Sequence, residues 1–274
     1  MNNCIELKEH YKVAGGKLTP YTIGCPTSGN NDWRRPAVIV VPGGGYEHVS
    51  KREGAPVACH FSARGFQSFV LEYLVAPDGV RYPEQLHELA ASVDYLKRHA
   101  EEYHINSNEI FIVGFSAGGH LTANLAVDYT AVTKIVGEPL DCKARAVGLC
   151  YPVISARLGH TRSHENLLSG YSDAEKEELL KLLNLDSAVT EKTFPAFIWT
   201  TATDGTVPAT NSLMFALSLA EKGIKYELHV YPEGDHGSST CDLEVNTAEN
   251  AIAKNRQWID NCAAFFRMFT VEKY

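Results

Sequence analysis

Ser116 stands in Gly114-Phe115-Ser116-Ala117-Gly118, where the apolar run 110–115 ends and a helical pattern begins. A hydroxyl is a weak nucleophile, and this setting helps it in two ways. A sharp strand-to-helix turn lifts the side chain clear of the sheet, and small flanking residues let neighbouring backbone approach. The helix N-terminus then lies beneath the serine, where its partial positive charge favours an anion forming close by. The chemistry this suits is nucleophilic acyl transfer, which needs a base, an acid to orient that base and donors for the developing oxyanion.

The order nucleophile, acid, histidine along the chain, each on a loop after a strand, removes most of the eleven histidines. His229 alternates within the strand pattern 226–231 and reads as a packing or face residue. His236, in Pro232-Glu233-Gly234-Asp235-His236-Gly237 just beyond that strand, is the expected base. Asp204 follows the strand 196–202 and precedes Gly205-Thr206-Val207-Pro208, which makes it the expected acid. Asp-Gly is also ordinary turn chemistry, so the position rather than the dipeptide carries this assignment. Asp235 is poorly placed to reach its own neighbour's ring, and Asp186 is the fallback acid.

Pro42-Gly43-Gly44-Gly45-Tyr46 follows the first long apolar strand. Successive glycines leave N–H groups open to a substrate oxygen. Gly44 and Gly45 are therefore the expected loop donors, with Ala117 as the donor after the nucleophile. The run lacks the Gly-Lys-Ser/Thr ending or Gly-x-Gly-x-x-Gly spacing of a phosphate loop. Tyr46, Glu47 and His48 are candidates for the pocket wall, against the plainer reading of surface or packing residues. His120, one helical turn after Ser116, is expected to be structural. His160 and His164 have the spacing of a metal pair but no third ligand, so no metal is expected, and the chemistry asks for no cofactor.

The elements that must position these residues alternate between strands and helices. Strands are expected at 37–41, 67–73, 110–115, 146–151, 196–202 and 226–231. Helices are expected at 54–64, 83–103, 116–126, 208–222 and 247–269, with an edge hairpin from 4–11 and 17–23. That alternation predicts an α/β fold with a mostly parallel twisted sheet flanked by helices on both faces. The 274-residue length suits one domain. Residues 155–195 break the rhythm, and Ser172-Asp173-Ala174-Glu175 forms a capping box within them. They are expected to form a small cap-like insertion over one edge of the site.

A net charge of −8, with no basic run, argues against nucleic acid or an anionic membrane as partner. No apolar window is long enough to span a bilayer, and residues 1–12 lack a leader pattern, so a cytoplasmic location is expected. The seven scattered cysteines, with no Cys-x-x-Cys pair, are expected to be reduced thiols. The expected partners are a small-molecule ester and, in a homodimer, a second copy of the chain.

Five motifs carry a family resemblance: Pro-Gly-Gly-Gly-Tyr (42–46), Gly-Phe-Ser-Ala-Gly-Gly-His-Leu (114–121), Tyr-Pro-Val-Ile (151–154), Asp-Gly-Thr-Val-Pro (204–208) and Pro-Glu-Gly-Asp-His-Gly (232–237). Together they resemble the bacterial esterase/lipase branch of the α/β-hydrolases, and within it the acetyl-xylan-esterase-like carbohydrate acetyl esterases. The resemblance implies Ser116, Asp204 and His236 as a triad, with Gly44, Gly45 and Ala117 as oxyanion donors. It also implies a serine carboxylic-ester hydrolase acting on short-acyl esters. Pro42 stands where hormone-sensitive-lipase-like enzymes have histidine, so their substrates do not carry over. Two other readings share these residues: a serine peptidase of the same fold, which would cleave peptides, and a non-catalytic binding protein, which would resist a fluorophosphonate probe.

Overall fold

In the computed structural model, which describes residues 4–26 and 32–271, eight strands form one sheet. The strands are β1 (Ile5–Glu6), β2 (Lys17–Tyr21), β3 (Arg35–Val41), β4 (Gln67–Glu72), β5 (Ile105–Phe115), β6 (Val147–Cys150), β7 (Ala196–Thr201) and β8 (Tyr226–Tyr231). Their order is β1-β2-β4-β3-β5-β6-β7-β8. The first two pairings are antiparallel and the other five parallel. The expected hairpin is present, although β1 is only two residues long before the chain turns into a short 3₁₀ segment.

The helices are α1 (Ala55–Ala63), α2 (Glu84–Arg98), α3 (Ser116–Val127), α4 (Tyr129–Val136), α5 (Arg162–Leu167), α6 (Asp173–Leu183), α7 (Thr210–Glu221) and α8 (Gln257–Arg267). Period-two alternation in the strands divides the apolar residues between two cores. Ala37, Ile39 and Val41 join Ile110 and Ile112 on the face covered by α2, α3 and α7. Val38 and Val40 join Phe111, Val113 and Phe115 on the face covered by α1 and α8, where Phe61, Trp258 and Phe266 pack. Helices therefore lie on both faces, as expected for an α/β-hydrolase fold.

Several elements differ from expectation, among them the helix expected at 83–103, which ends at Arg98. Strand β5 starts at Ile105 because Arg35 pairs with Ile105 across a register shift in β3. Helix α4, absent from the sequence reading, is started by the Asp128 carboxylate, which accepts the Ala131 N–H at 3.2 Å. The expected helix 247–269 is regular only over Gln257–Arg267. The residues before it form turns and then a 3₁₀ segment, Ala253–Arg256, in which the Asn255 side chain donates to the Glu233 carbonyl at 2.9 Å. Within 155–195 lie α5 and α6, and the capping box at Ser172 and Glu175 closes in both directions. The seven cysteines are free thiols. Among the described residues no helix is long and apolar enough to cross a membrane.

Candidate active site

The chemistry gathers where the parallel strands end. The glycine loop follows β3, Ser116 follows β5, Tyr151 follows β6, Asp204 follows β7 and His236 follows β8. The carboxyl rim of a parallel sheet is where successive crossovers bring otherwise distant loops together.

Ser116 has φ +51, in the left-handed region, and is almost buried. The turn tolerates no Cβ at Gly118, where one would lie 2.2 Å from the Val41 carbonyl oxygen. That contact is what brings the nucleophile turn up against the glycine loop. The His236 Nε2 lies 2.8 Å from Ser116 Oγ, and its Nδ1 lies 2.7 Å from Asp204 Oδ2. With the ring proton on Nδ1, the imidazole donates to the carboxylate and accepts the serine proton at Nε2. Asp204 Oδ1 accepts the N–H groups of Thr206 and Val207, both at 2.9 Å, so its carboxylate cannot rotate away. The His236 loop is pinned behind the ring, where Thr201 Oγ1 donates to the Gly234 carbonyl at 2.6 Å.

The glycine loop is set by its carbonyls. Gly43 C=O accepts Ser50 N–H at 3.0 Å, and Gly44 C=O accepts Glu47 N–H at 3.0 Å and His48 N–H at 3.2 Å. Because each peptide is planar and trans, holding a carbonyl aims the following N–H the opposite way. The N–H groups of Gly44 and Gly45 thus face out of the turn, and no described residue accepts from them. Gly44 has φ +123, and a Cβ there would meet the His48 carbonyl oxygen at 2.0 Å, so only glycine makes this turn. Ala117 lies in the first turn of α3, where backbone N–H groups lack intrahelical acceptors.

A cavity of about 290 Å³ contains Ser116 and His236 and is lined by Gly44, Gly45, Glu47 and His48. The Tyr46 expectation is corrected. Its φ of +58 turns the side chain inward, and the phenol is buried beneath the cavity, donating to His120 Nδ1 at 2.9 Å. His120 donates its one ring proton, on Nε2, to the Leu183 carbonyl at 3.0 Å, the structural part expected of it. Asp186 is held by Arg157 at 2.9 Å, away from His236, and His229 on β8 rests against Phe197 of β7.

The sequence reading missed a polar wall supplied by 155–195. His160, Arg162 and Ser163 line the cavity opposite the glycine loop. His160 donates from Nδ1 to the Thr206 carbonyl at 3.0 Å and accepts the Ser163 hydroxyl at Nε2, 2.9 Å away. Burial lowers its pKa, which favours that neutral form. His164 turns instead toward His120, with ring centroids 4.7 Å apart, so the two i,i+4 histidines do not converge on a metal. Among the described residues, His60, Asp242 and Glu244 come within reach of one ion. Arginine already occupies that corner, with Arg256 3.7 Å from Asp242 and Arg64 3.4 Å from His60. Glu53 was also missed, and Tyr151 was noted only within the motif 151–154, because the contacts that join them to the site run between segments distant in sequence.

The chain is 35% identical over 220 residues to endo-1,4-beta-xylanase B of Butyrivibrio fibrisolvens, which covers 78% of this chain and 34% of that protein. It is 31% identical over 208 residues to an acetylxylan esterase of Xylanibacter ruminicola, covering 73% of this chain and 40% of that one. The chain therefore spans well under half the length of these two relatives. Among solved structures, the acetyl ester-xyloside bifunctional hydrolase of Caldicellulosiruptor lactoaceticus superposes with TM-score 0.82 at 29% identity, covering 97% of this chain and 96% of that one. The carboxylesterase Cest-2923 of Lactobacillus plantarum superposes with TM-score 0.84 at 25% identity, with the same coverage. The BD-FAE family pattern matches residues 23–219, and the chain belongs to that family.

Proposed function

We propose that this chain is a serine carboxylic-ester hydrolase that removes short acyl groups, acetyl foremost, from carbohydrate esters. The observation that carries the reading is the imidazole of His236, set between Ser116 Oγ at 2.8 Å and Asp204 Oδ2 at 2.7 Å. His236 Nε2 takes the Ser116 proton as Oγ attacks the ester carbonyl. The N–H groups of Gly44, Gly45 and Ala117 receive the oxyanion, and Asp204 stabilises the imidazolium. The imidazolium then protonates the departing alcohol. Water, activated by the same nitrogen, releases the acid from Ser116 and restores the enzyme.

The carbohydrate part of the reading rests on the polar wall. Glu47, His48, His160, Arg162 and Ser163 offer donors and acceptors suited to a hydroxyl-bearing alcohol. The names of the acetylxylan esterase and the acetyl ester-xyloside hydrolase point the same way. The segment 155–195 acts as the cap that brings that wall over the site.

The test is hydrolysis of nitrophenyl esters of increasing acyl length beside acetylated xylo-oligosaccharides, with Ser116→Ala as control. Acetyl esters should be cleaved fastest, and Ser116→Ala should lose at least ~10⁴-fold in kcat. Ester cleavage retained by Ser116→Ala would falsify the reading.

A further inference from the structure

Glu53 is a carboxylate at only 3% exposure beside the catalytic cavity, and among the described residues no cation pairs with it. Such a group is costly to bury unless both oxygens are satisfied. Here they are, and by groups from two different parts of the site. Oε2 accepts the Gly43 N–H at 2.8 Å, and Oε1 accepts the Tyr151 hydroxyl at 2.7 Å.

The direction of each bond is forced. The Gly43 N–H can only donate. The Ser239 N–H can only donate, and it gives its proton to the Tyr151 oxygen at 2.9 Å. An ionised carboxylate can only accept, so the Tyr151 hydroxyl gives its proton to Glu53 and both Glu53 oxygens accept. A carboxylate can do so and an amide cannot.

The chain of bonds closes on itself. Ser239 Oγ donates to the Arg52 carbonyl at 2.7 Å, and the Arg52 guanidinium donates to the Gly237 carbonyl at 2.6 Å. Gly237 and Ser239 flank the end of the His236 loop, while Gly43 opens the oxyanion loop and packs against Ser116. The Tyr151 ring, held at φ +36, lies edge-on to the His236 ring with centroids 5.0 Å apart. The base and the oxyanion donors reach the site on loops that follow different strands, and these bonds join the two loops directly.

We propose that Glu53 is a positioning residue that holds the oxyanion loop and the His236 loop in mutual register through Gly43 and Tyr151. This rests on the triad reading above. Glu53 touches none of the three triad side chains by hydrogen bond. It acts by fixing where the donors and the base stand, and displacements of ~1 Å in such groups can cost ~10²-fold in rate.

In Glu53→Gln one oxygen can still accept from Gly43, but the amide N–H then faces a phenol oxygen that already accepts from Ser239. The Tyr151 hydroxyl proton loses its acceptor, and one end of the tie loosens. The expected result with nitrophenyl acetate is a kcat lower by about 10- to 100-fold with KM changed less than about threefold. Loss of register affects the transition state more than ground-state binding. Tyr151→Phe, which keeps the ring, should lower kcat by about 3- to 10-fold. Combined with Glu53→Gln it should add less than its own separate factor, because both break the Glu53–Tyr151 link and only the Ser239 bond to the phenol is lost in addition.

A Glu53→Gln enzyme with wild-type kcat overturns the proposal. So do losses that multiply in the double variant, or a fall in kcat matched by an equal fall in folded fraction by circular dichroism. If Glu53→Gln fails to fold, Tyr151→Phe decides the matter alone, and an unchanged kcat there overturns it. Ser116→Ala separates the two levels. Activity surviving in that variant removes the triad reading itself, whereas an inactive Ser116→Ala beside a fully active Glu53→Gln removes only the role of Glu53.

Discussion

Two imidazole clusters flank the first turn of α3, and they differ in what surrounds the ring. His236 sits between a hydroxyl and a carboxylate at the edge of a cavity, with its side chain 17% exposed. His120 sits between a phenol and a carbonyl in the core, facing His164. Both rings are fully hydrogen-bonded. Only His236 has an anion to stabilise the charge it would acquire and an opening through which a substrate could reach its serine. His120 has neutral partners and lies buried, so protonation there is opposed rather than supported. On the proposed reading, the contrast separates a base from a strut by environment alone.

The largest effect expected comes from removing the anion from the first cluster. Asp204→Asn keeps the shape of the carboxylate but offers no charge, and the amide favours the wrong ring tautomer. Steady-state kinetics should show kcat down by ~10³- to 10⁴-fold. Substituting His236→Asn should cost at least as much, because no base then remains. A drop of less than tenfold in either variant would erase the distinction between the clusters.

The second cluster should speak through stability and pH instead. Burial, with the neighbouring imidazole adding to it, holds His120 down to about 3, and burial holds His164 down to about 4. An unfolded histidine titrates near ~6.5. The stability tied to these neutral rings is therefore present above pH ~6.5 and is lost as the pH falls from there toward the folded values, where the unfolded chain takes up protons the core refuses. Melting curves should show Tm falling between pH 7 and 5. In His164→Leu that fall should be shallower, with little penalty at pH 8, since His164 Nδ1 already lacks a partner and its bond to Leu183 is long at 3.4 Å. His120→Phe should instead cost about 1–3 kcal/mol above pH ~6.5, because it strands the Tyr46 hydroxyl and leaves the Leu183 carbonyl only its long bond to His164, and that cost should shrink as the pH falls because the variant also lacks the His120 titration. Identical pH slopes in wild type and His164→Leu would contradict this account.

The first cluster was legible in the sequence, and much of the second was not, for one physical reason. Ser116, Asp204 and His236 each follow a strand, so the period-two pattern that marks strands also marks the rim where they meet. Nothing comparable announces which way a side chain turns after a glycine. Tyr46 reads as a wall residue until its left-handed backbone sends the phenol under the loop to His120. Glu53 goes unmarked in the sequence because Gly43 and Tyr151, which bond its two oxygens, are 10 and 98 residues away. The overlong helix expected at 247–269 fails similarly. Its first turns are spent pinning the His236 loop through Asn255, a tertiary demand that local helix propensity does not reveal.

The same contrast between buried and exposed partners ranks the two ties from α5 to the glycine loop. Asn166 donates to the Gly45 carbonyl at 2.8 Å from a half-buried position, and Arg162 pairs with Glu47 at 2.8 Å with both side chains at least half exposed. Arg162 holds the Glu47 carboxyl below its usual range, but water screens such a pair and repays most of its loss. Arg162→Ala should therefore give the smallest effect, with kcat/KM for an acetylated sugar falling less than about threefold. Added salt should mimic that change in the wild type. Asn166→Ala should cost more than Arg162→Ala and be indifferent to salt, because it frees the carbonyl on the peptide next to the Gly45 donor. A reversed order would mean that charge at the mouth, not the geometry of the donor loop, controls what this segment contributes.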